Sequence, residues 1–196
     1  MERSSRFISL SGLSGVAAGL VALAGAAMVY AYLDLPLFSS RHIYYYEVLK
    51  NGRWGIDYVT FVLLDAAIVF VLALAAGIYF TTRKARKKGQ KIWDPLTLRM
   101  LVNLAIPLLA GGIFCIALYK NGAYGLVAPA TLIFYGLALV NGSKYTLNDV
   151  RYLGITEIVL GIVGLFYPGY GLELWALGFG VLHILYGALM WYKYER

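Results

Sequence analysis

The amino-acid sequence predicts an all-α membrane protein: six transmembrane helices in three helical hairpins, with the N- and C-termini cytoplasmic. Three observations predict it. The first is composition: of 196 residues, 61% are hydrophobic and 14% charged, with a mean hydropathy of +0.71, whereas a soluble domain is about 45–50% apolar and about 25% charged. The second is a set of six apolar runs near the roughly 20 residues that a spanning helix needs. The third is an asymmetric placement of Lys and Arg beside those runs. A formal charge of +7 on a soluble chain would suggest nucleic acid. Here the basic residues flank apolar spans, so the expected partner is the lipid bilayer and no nucleic acid is expected.

The first run, 7–33, follows Arg3 and Arg6 and ends before Asp34. Its Ala24-Gly25-Ala26 triplet has the look of a signal-peptide cleavage site, but the apolar stretch exceeds the about 7–15 residues of a signal peptide, so a retained helix is expected. Gly15 and Gly19, and Ala18, Ala22 and Ala26, repeat at intervals of four and so share a face. Small residues on one face let a second backbone approach closely. Packing inside the chain is the simpler use of that face; docking of a second copy or a partner subunit is the sharper one.

Residues 34–57 form an outer segment rich in tyrosine, Tyr44, Tyr45 and Tyr46, with an Asn51-Gly52 turn signal. The second run, 58–80, leads into a basic connection, 81–98, in which Arg83, Lys84, Arg86, Lys87, Lys88 and Lys91 set topology and offer a surface to anionic lipid headgroups. Trp93-Asp94-Pro95 reads as the start of the third helix, with proline in the first turn. The third run, 100–119, contains Asn103 and Pro107. The fourth, 124–140, contains Pro129 and Tyr135. Each interior proline frees a backbone carbonyl, so a kink or a broken helix is expected there. The fourth and fifth runs, 124–140 and 152–167, are short for a bilayer. The sixth is 172–192.

With the N-terminus inside, 13 of the 17 Lys and Arg fall on the cytoplasmic side and four, Arg41, Lys50, Arg53 and Lys120, on the outside. That distribution is what the positive-inside rule demands. The second and third hairpins also resemble one another. Ala123-Tyr124-Gly125-Leu126 matches Gly169-Tyr170-Gly171-Leu172, and Phe134-Tyr135-Gly136 matches Leu185-Tyr186-Gly187. Both hairpins start on the same side, so the repeat is parallel, about an axis along the membrane normal.

Ionisable residues inside apolar runs mark the candidate site. A charge at the centre of a spanning helix costs roughly 2.5–3.5 kcal/mol, so it has a partner or a task. Glu157 lies 13 residues before Tyr170 and His183 lies 13 after it, which puts them at one depth on neighbouring antiparallel helices. Glu157 shares a stripe with Gly154, Gly161 and Gly164, and His183 one with Ala176, Gly180 and Gly187. Both stripes are packing faces, so a Glu157–His183 contact is expected. Asp65, eight residues into the second run, has no basic residue at its depth and could line a cavity or take a hydroxyl or backbone partner. Asn103 and Tyr135 are further ligand or proton-site candidates, with interhelical hydrogen bonding as their simpler use. One cysteine, Cys115, and two histidines, His42 and His183, leave no Cys/His metal cluster. Neither metal nor cofactor is expected.

Gly12-Leu13-Ser14-Gly15-Val16 with His183 resembles the nucleophile motif of rhomboid intramembrane proteases. However, Ser14 falls in the cytoplasmic half of an in-to-out helix and His183 near the midplane of an out-to-in one, so no catalytic pair is expected. The last hairpin, 153–187, with Gly161, Pro168-Gly169 and Tyr186-Gly187, resembles the repeated hairpin of HdeD-type acid-stress membrane proteins, a family of six helices in three hairpins. The chain as a whole resembles bacterial six-helix inner-membrane proteins. Ala18, Ala22 and Ala26, followed by the long outer segment 34–57, resemble the outline of the substrate-binding subunit of energy-coupling-factor vitamin transporters. The expectation is a non-enzymatic multi-pass protein of a bacterial inner membrane that binds or conducts a small solute or protons through a polar interior. The alternative is a structural, stress-associated or accessory-subunit membrane protein.

Overall fold

A computed structural model of the chain describes residues 11–34, 52–87, 89 and 92–196. The tyrosines Tyr44, Tyr45 and Tyr46 of segment 34–57, and Lys88 and Lys91 of the basic connection, lie outside the described residues. Among the described residues the structure is helical throughout, apart from turns and one isolated bridge between Arg53 and Ile56. Five long helices run in order: α1 (Gly12–Leu33), α2 (Tyr58–Lys87), α3 (Pro95–Lys120), α4 (Val127–Gly142) and α5 (Asn148–Phe166). A last helical run follows in three pieces: α6 (Gly171–Trp175), a π-helical segment (Ala176–Leu182) and α7 (His183–Tyr194). Short 3₁₀ turns, Tyr124–Leu126, Ser143–Tyr145 and Pro168–Tyr170, extend or join these helices.

Among the described residues, five segments are long and apolar enough to cross a membrane: Gly12–Leu33, Tyr58–Lys87, Pro95–Lys120, Tyr124–Tyr145 and Pro168–Tyr194. α5 has the length, 19 residues, but Asp149, Arg151 and Glu157 interrupt its apolarity. The two segments expected to be short are not. The 3₁₀ turns lengthen the fourth to 22 residues, and α5 begins four residues before Tyr152, at Asn148, reaching about 28 Å at 1.5 Å per residue. The basic connection is also shorter than expected, because α2 continues through Lys87 and carries Arg83, Lys84, Arg86 and Lys87 on its last turns. Asp94 caps α3 as the sequence suggests: its side chain accepts from Thr97 N at 2.6 Å, with Pro95 in the first turn.

Pro107 lies inside α3, and the helix runs on past it to Lys120 without a break. Pro129 is the third residue of α4, where an N–H has no intrahelical partner, so it neither kinks nor breaks the helix. A tight turn is formed by Trp54 and Gly55, both at positive φ, between the bridged Arg53 and Ile56; of the Asn51-Gly52 turn signal, Gly52 is also at positive φ, and Asn51 lies outside the described residues. Tyr32, near the end of α1, is wholly buried. Its hydroxyl donates to Ile56 O at 2.7 Å and accepts from Arg53 N at 2.8 Å, stitching that turn to α1.

α1 is sandwiched between α2 and the last helical run, while α4 packs between α3 and α5. α5 and the last run touch less than a hairpin pair would; each makes its main contact with a helix of another hairpin. Those two contacts are copies of one another. A Cβ on Gly136 would stand 2.5 Å from Gly154 O and 2.9 Å from Ile158 N, and one on Gly187 would stand 2.6 Å from both Gly12 O and Val16 N. A Cβ on Gly161 would meet Pro129 O at 2.8 Å and Ile133 N at 2.9 Å; one on Gly19 would meet Gly180 O at 2.6 Å and Ile184 N at 3.0 Å. One constant shift in numbering carries Gly12, Val16 and Gly19 onto Gly154, Ile158 and Gly161. Another carries Gly180, Ile184 and Gly187 onto Pro129, Ile133 and Gly136. The parallel repeat is therefore built into the packing, and α1 takes part in it as the counterpart of α5. The third junction of such a rotation, α2 against α3, is not packed: a Cβ on Gly77 or on Gly112 would meet nothing within 4 Å. α2 and α3 instead present apolar side chains outward, with Leu63 65%, Phe70 64% and Ile113 70% exposed, as lipid-facing helices do.

Candidate functional site

Three of the five candidate residues converge where α4, α5 and the last run meet. Glu157 is 0% exposed. His183 Nδ1 lies 3.4 Å from Glu157 Oε1, so the contact expected from counting outward from Tyr170 is formed. His183 Nδ1 also lies 3.0 Å from Gly178 O, and Nε2 lies 2.8 Å from the Tyr135 hydroxyl. A carbonyl can only accept, so Nδ1 carries hydrogen and donates to Gly178. With a neutral ring, Nε2 is then the acceptor and Tyr135 O–H the donor. With a protonated ring, Nε2–H donates to the tyrosine oxygen, and Nδ1–H⁺ faces the Glu157 carboxylate. Tyr135, His183 and Glu157 thus form one polar chain reaching from α4 through α7 to α5.

The π-helical segment sets this geometry. Gly178 precedes His183 by five residues, the interval of a π turn, within the wider winding of Ala176–Leu182. A side chain at 178 would overlap Glu157 Oε2 and Leu132, so only glycine lets the carboxyl lie against this backbone. Phe179 stacks over the His183 ring, 5.9 Å between centroids and 15° between planes, and contacts the Tyr135 ring at 4.8 Å. Leu132, fully buried, closes the remaining side. Among the described residues, neither Glu157 oxygen accepts a hydrogen bond; its polar neighbour is the imidazole at 3.4 Å.

Asp65 and Asn103 do not join this cluster. Asp65 lies on α2 against α1, its Oδ2 3.1 Å from where a Cβ of Gly25 would be, so the Ala24-Gly25-Ala26 triplet is a notch in the middle of α1 that admits a carboxyl. Asn103 Nδ2 donates to Arg99 O at 2.8 Å and to Tyr145 Oη at 3.3 Å, and Asn141 donates to Asn103 O at 2.9 Å. It therefore joins α3 to the end of α4. Ser14 Oγ donates to Ser11 O at 2.5 Å, and the His183 ring is engaged by Gly178 and Tyr135, so the rhomboid-like residues form no nucleophile–base pair. The small-residue face of α1 is consumed inside the chain: Gly19, Ala22 and Ala26 are buried, and Gly15 and Gly19 lie against α7 and the π segment. Gly161, Gly180 and Gly187 serve the same two junctions.

Gly178, Phe179 and Leu132 complete the site without having been candidates on sequence grounds. The signal for the first two was Gly178-Phe179-Gly180 itself, two glycines within one turn of an intramembrane histidine. No protein-family model matches the chain, and no curated protein or solved structure matches it.

Proposed function

We propose that the protein is a six-span membrane protein of a bacterial inner membrane, with both termini cytoplasmic, and that Tyr135, His183 and Glu157 form a proton-binding site in its interior through which it binds or conducts protons or a small protonated solute. The observation that carries this reading is the Glu157 carboxyl: fully enclosed, without a hydrogen-bond donor among the described residues, and 3.4 Å from an imidazole whose other nitrogen is bonded to a tyrosine. A buried polar group left unsatisfied costs about 1–3 kcal/mol. A role in packing alone would be served better by an apolar side chain, so retention of a carboxyl favours a task that needs its proton. The three groups together can hold a proton on carboxyl, imidazole or both, and pass it along the chain of short distances without moving a helix.

The test is proton flux into liposomes that contain purified protein and a trapped pH dye, driven by a potassium–valinomycin potential. Wild type should acidify or alkalinise the lumen faster than empty liposomes, and Glu157→Gln and His183→Ala should abolish the difference while keeping their melting transitions. A wild-type rate equal to that of empty liposomes, in protein shown to be folded, would sink the reading. A static lock is the second reading, favoured by the close glycine packing on both sides of the site. It predicts the opposite division, with Glu157→Gln changing the melting transition and no flux in any variant.

A further inference from the structure

We infer that a cleft at the basic end of the bundle is a binding site for the phosphate headgroup of an anionic membrane lipid. The cleft, of about 350 Å³, opens where the end of α2, the start of α1 and the end of α7 meet. Arg83, Lys84, Lys87 and Arg196 line it, against one acidic side chain among the described residues, Glu195. That carboxylate is already engaged: it sits 3.2 Å from Lys84 Nζ and also accepts from Ser11 Oγ at 3.1 Å and Gly12 N at 2.5 Å. Lys84, with 9% of its side chain exposed, forms the floor with Glu195, and the Arg83 and Lys87 cations at the rim, without a carboxylate partner among the described residues, are left to meet an anion.

The rest of the lining says what kind of anion. Phe80, Leu13, Trp191 and Tyr194 make one wall aromatic and apolar. That wall continues onto the outward face of α2, where Ile78 and Tyr79 are each 57% exposed and Leu74 is 52% exposed. A free phosphate would be served by the cations alone. A molecule with a phosphodiester at one end and acyl chains at the other uses both halves of the cleft, with its chains lying along α2. The basic end of an apolar helix is also the depth at which lipid headgroups sit. The site is distinct from the Tyr135–His183–Glu157 chain and does not depend on it.

Trp191 supplies the probe. In nanodiscs of phosphatidylcholine doped with lipid brominated on its acyl chains, the Trp191 signal is the fluorescence of wild type minus that of Trp191→Phe. Brominated phosphatidylglycerol should quench it at a lower mole fraction than brominated phosphatidylcholine does. The variant Arg83→Gln/Lys87→Gln should lose that preference, by about fivefold in effective affinity for each cation removed. Arg99→Gln/Lys144→Gln, with the same change in net charge but outside the cleft, should retain it. Equal quenching by both lipids, or equal loss in both double variants, overturns the site. Displacement by millimolar glycerol phosphate in the aqueous phase, to the same extent as by lipid, overturns the lipid assignment. Because the two rim cations are exposed, their removal leaves folding intact, and near-ultraviolet circular dichroism of each variant verifies that.

Discussion

At the scale of single residues, the fit of Glu157 depends on an atom that is missing from Gly178. Alanine is ordinarily better than glycine inside a helix by about 1 kcal/mol. At 178 its methyl would overlap Glu157 Oε2 and Leu132 Cδ2, so Gly178→Ala should lower stability by about 1–3 kcal/mol despite that gain. Unfolding of the detergent-solubilised protein measures it; a stabilised variant would mean that the carboxyl does not lie against this turn. Tyr135 offers a second measurement. Tyr135→Phe removes the 2.8 Å bond to His183 Nε2 and should cost about 1 kcal/mol. Combined with His183→Ala, the two losses should fall short of additive by a similar amount, since each removes the same bond. Full additivity would separate the tyrosine from the histidine.

At the scale of the elements, the repeat makes a quantitative claim, because equivalent glycines face equivalent backbone. Gly136→Ala and Gly187→Ala each push a methyl against a carbonyl oxygen 2.5–2.6 Å away, so each should destabilise by about 1–3 kcal/mol and the two should agree. Gly77→Ala and Gly112→Ala, with open space around them, should be neutral or stabilising by up to about 1 kcal/mol. A pair of unequal values at 136 and 187 would break the equivalence. The start of α3 adds a pH dependence outside the membrane-spanning part. The Thr97 backbone N–H bonds the Asp94 carboxylate and holds its pKa below the ordinary carboxylate value. A lowered folded-state pKa stabilises the fold above the unfolded pKa, near 4, and that contribution fades as pH falls through the lower folded value. The melting temperature of wild type should therefore exceed that of Asp94→Ala at neutral pH and approach it in acid; a gap independent of pH would rule out the cap. Much of this level was legible in the sequence. Intervals of three and four marked the packing stripes, Asp94-Pro95 marked the start of α3, and distance from Tyr170 marked the Glu157–His183 pair. What was not legible crosses between hairpins. Tyr135 was visible as a polar residue, but its partner sits 48 positions away, and no local pattern records that α5 packs on α4 and the last run on α1. The π winding was hidden for a related reason: its residues are as apolar and glycine-rich as those of the α-helix around it.

At the scale of the whole molecule, the two ends of the described chain are held together by one carboxylate. Ser11 provides no side-chain cap to α1, so the first N–H groups of that helix need an acceptor from elsewhere. Glu195, just past the end of α7, supplies it: Oε1 accepts from Gly12 N at 2.5 Å and from Lys84 at 3.2 Å, and Oε2 accepts from Ser11 Oγ at 3.1 Å. Three helices, α1, α2 and α7, meet at this group, and α1 is also the element that separates Asp65 on α2 from His183 on α7. Glu195→Ala should therefore cost on the order of 3 kcal/mol, the scale for removing one partner of a poorly exposed ion pair. The loss should be localised: hydrogen exchange should speed at the first turn of α1 and the last turns of α2, while α4 and α5, joined by their own glycine interface, keep their protection. Uniform acceleration along all helices would instead make Glu195 a determinant of global stability with no special tie to α1. A double variant, Lys84→Met with Glu195→Leu, separates the two duties of the carboxylate. Apolar replacement of a buried pair is often neutral, so the charge component should be recovered. The N–H of Gly12 would still lack its acceptor, so recovery should stop about 1 kcal/mol short of wild type. Complete recovery would show that the ion pair, and not the capping of α1, is what Glu195 contributes.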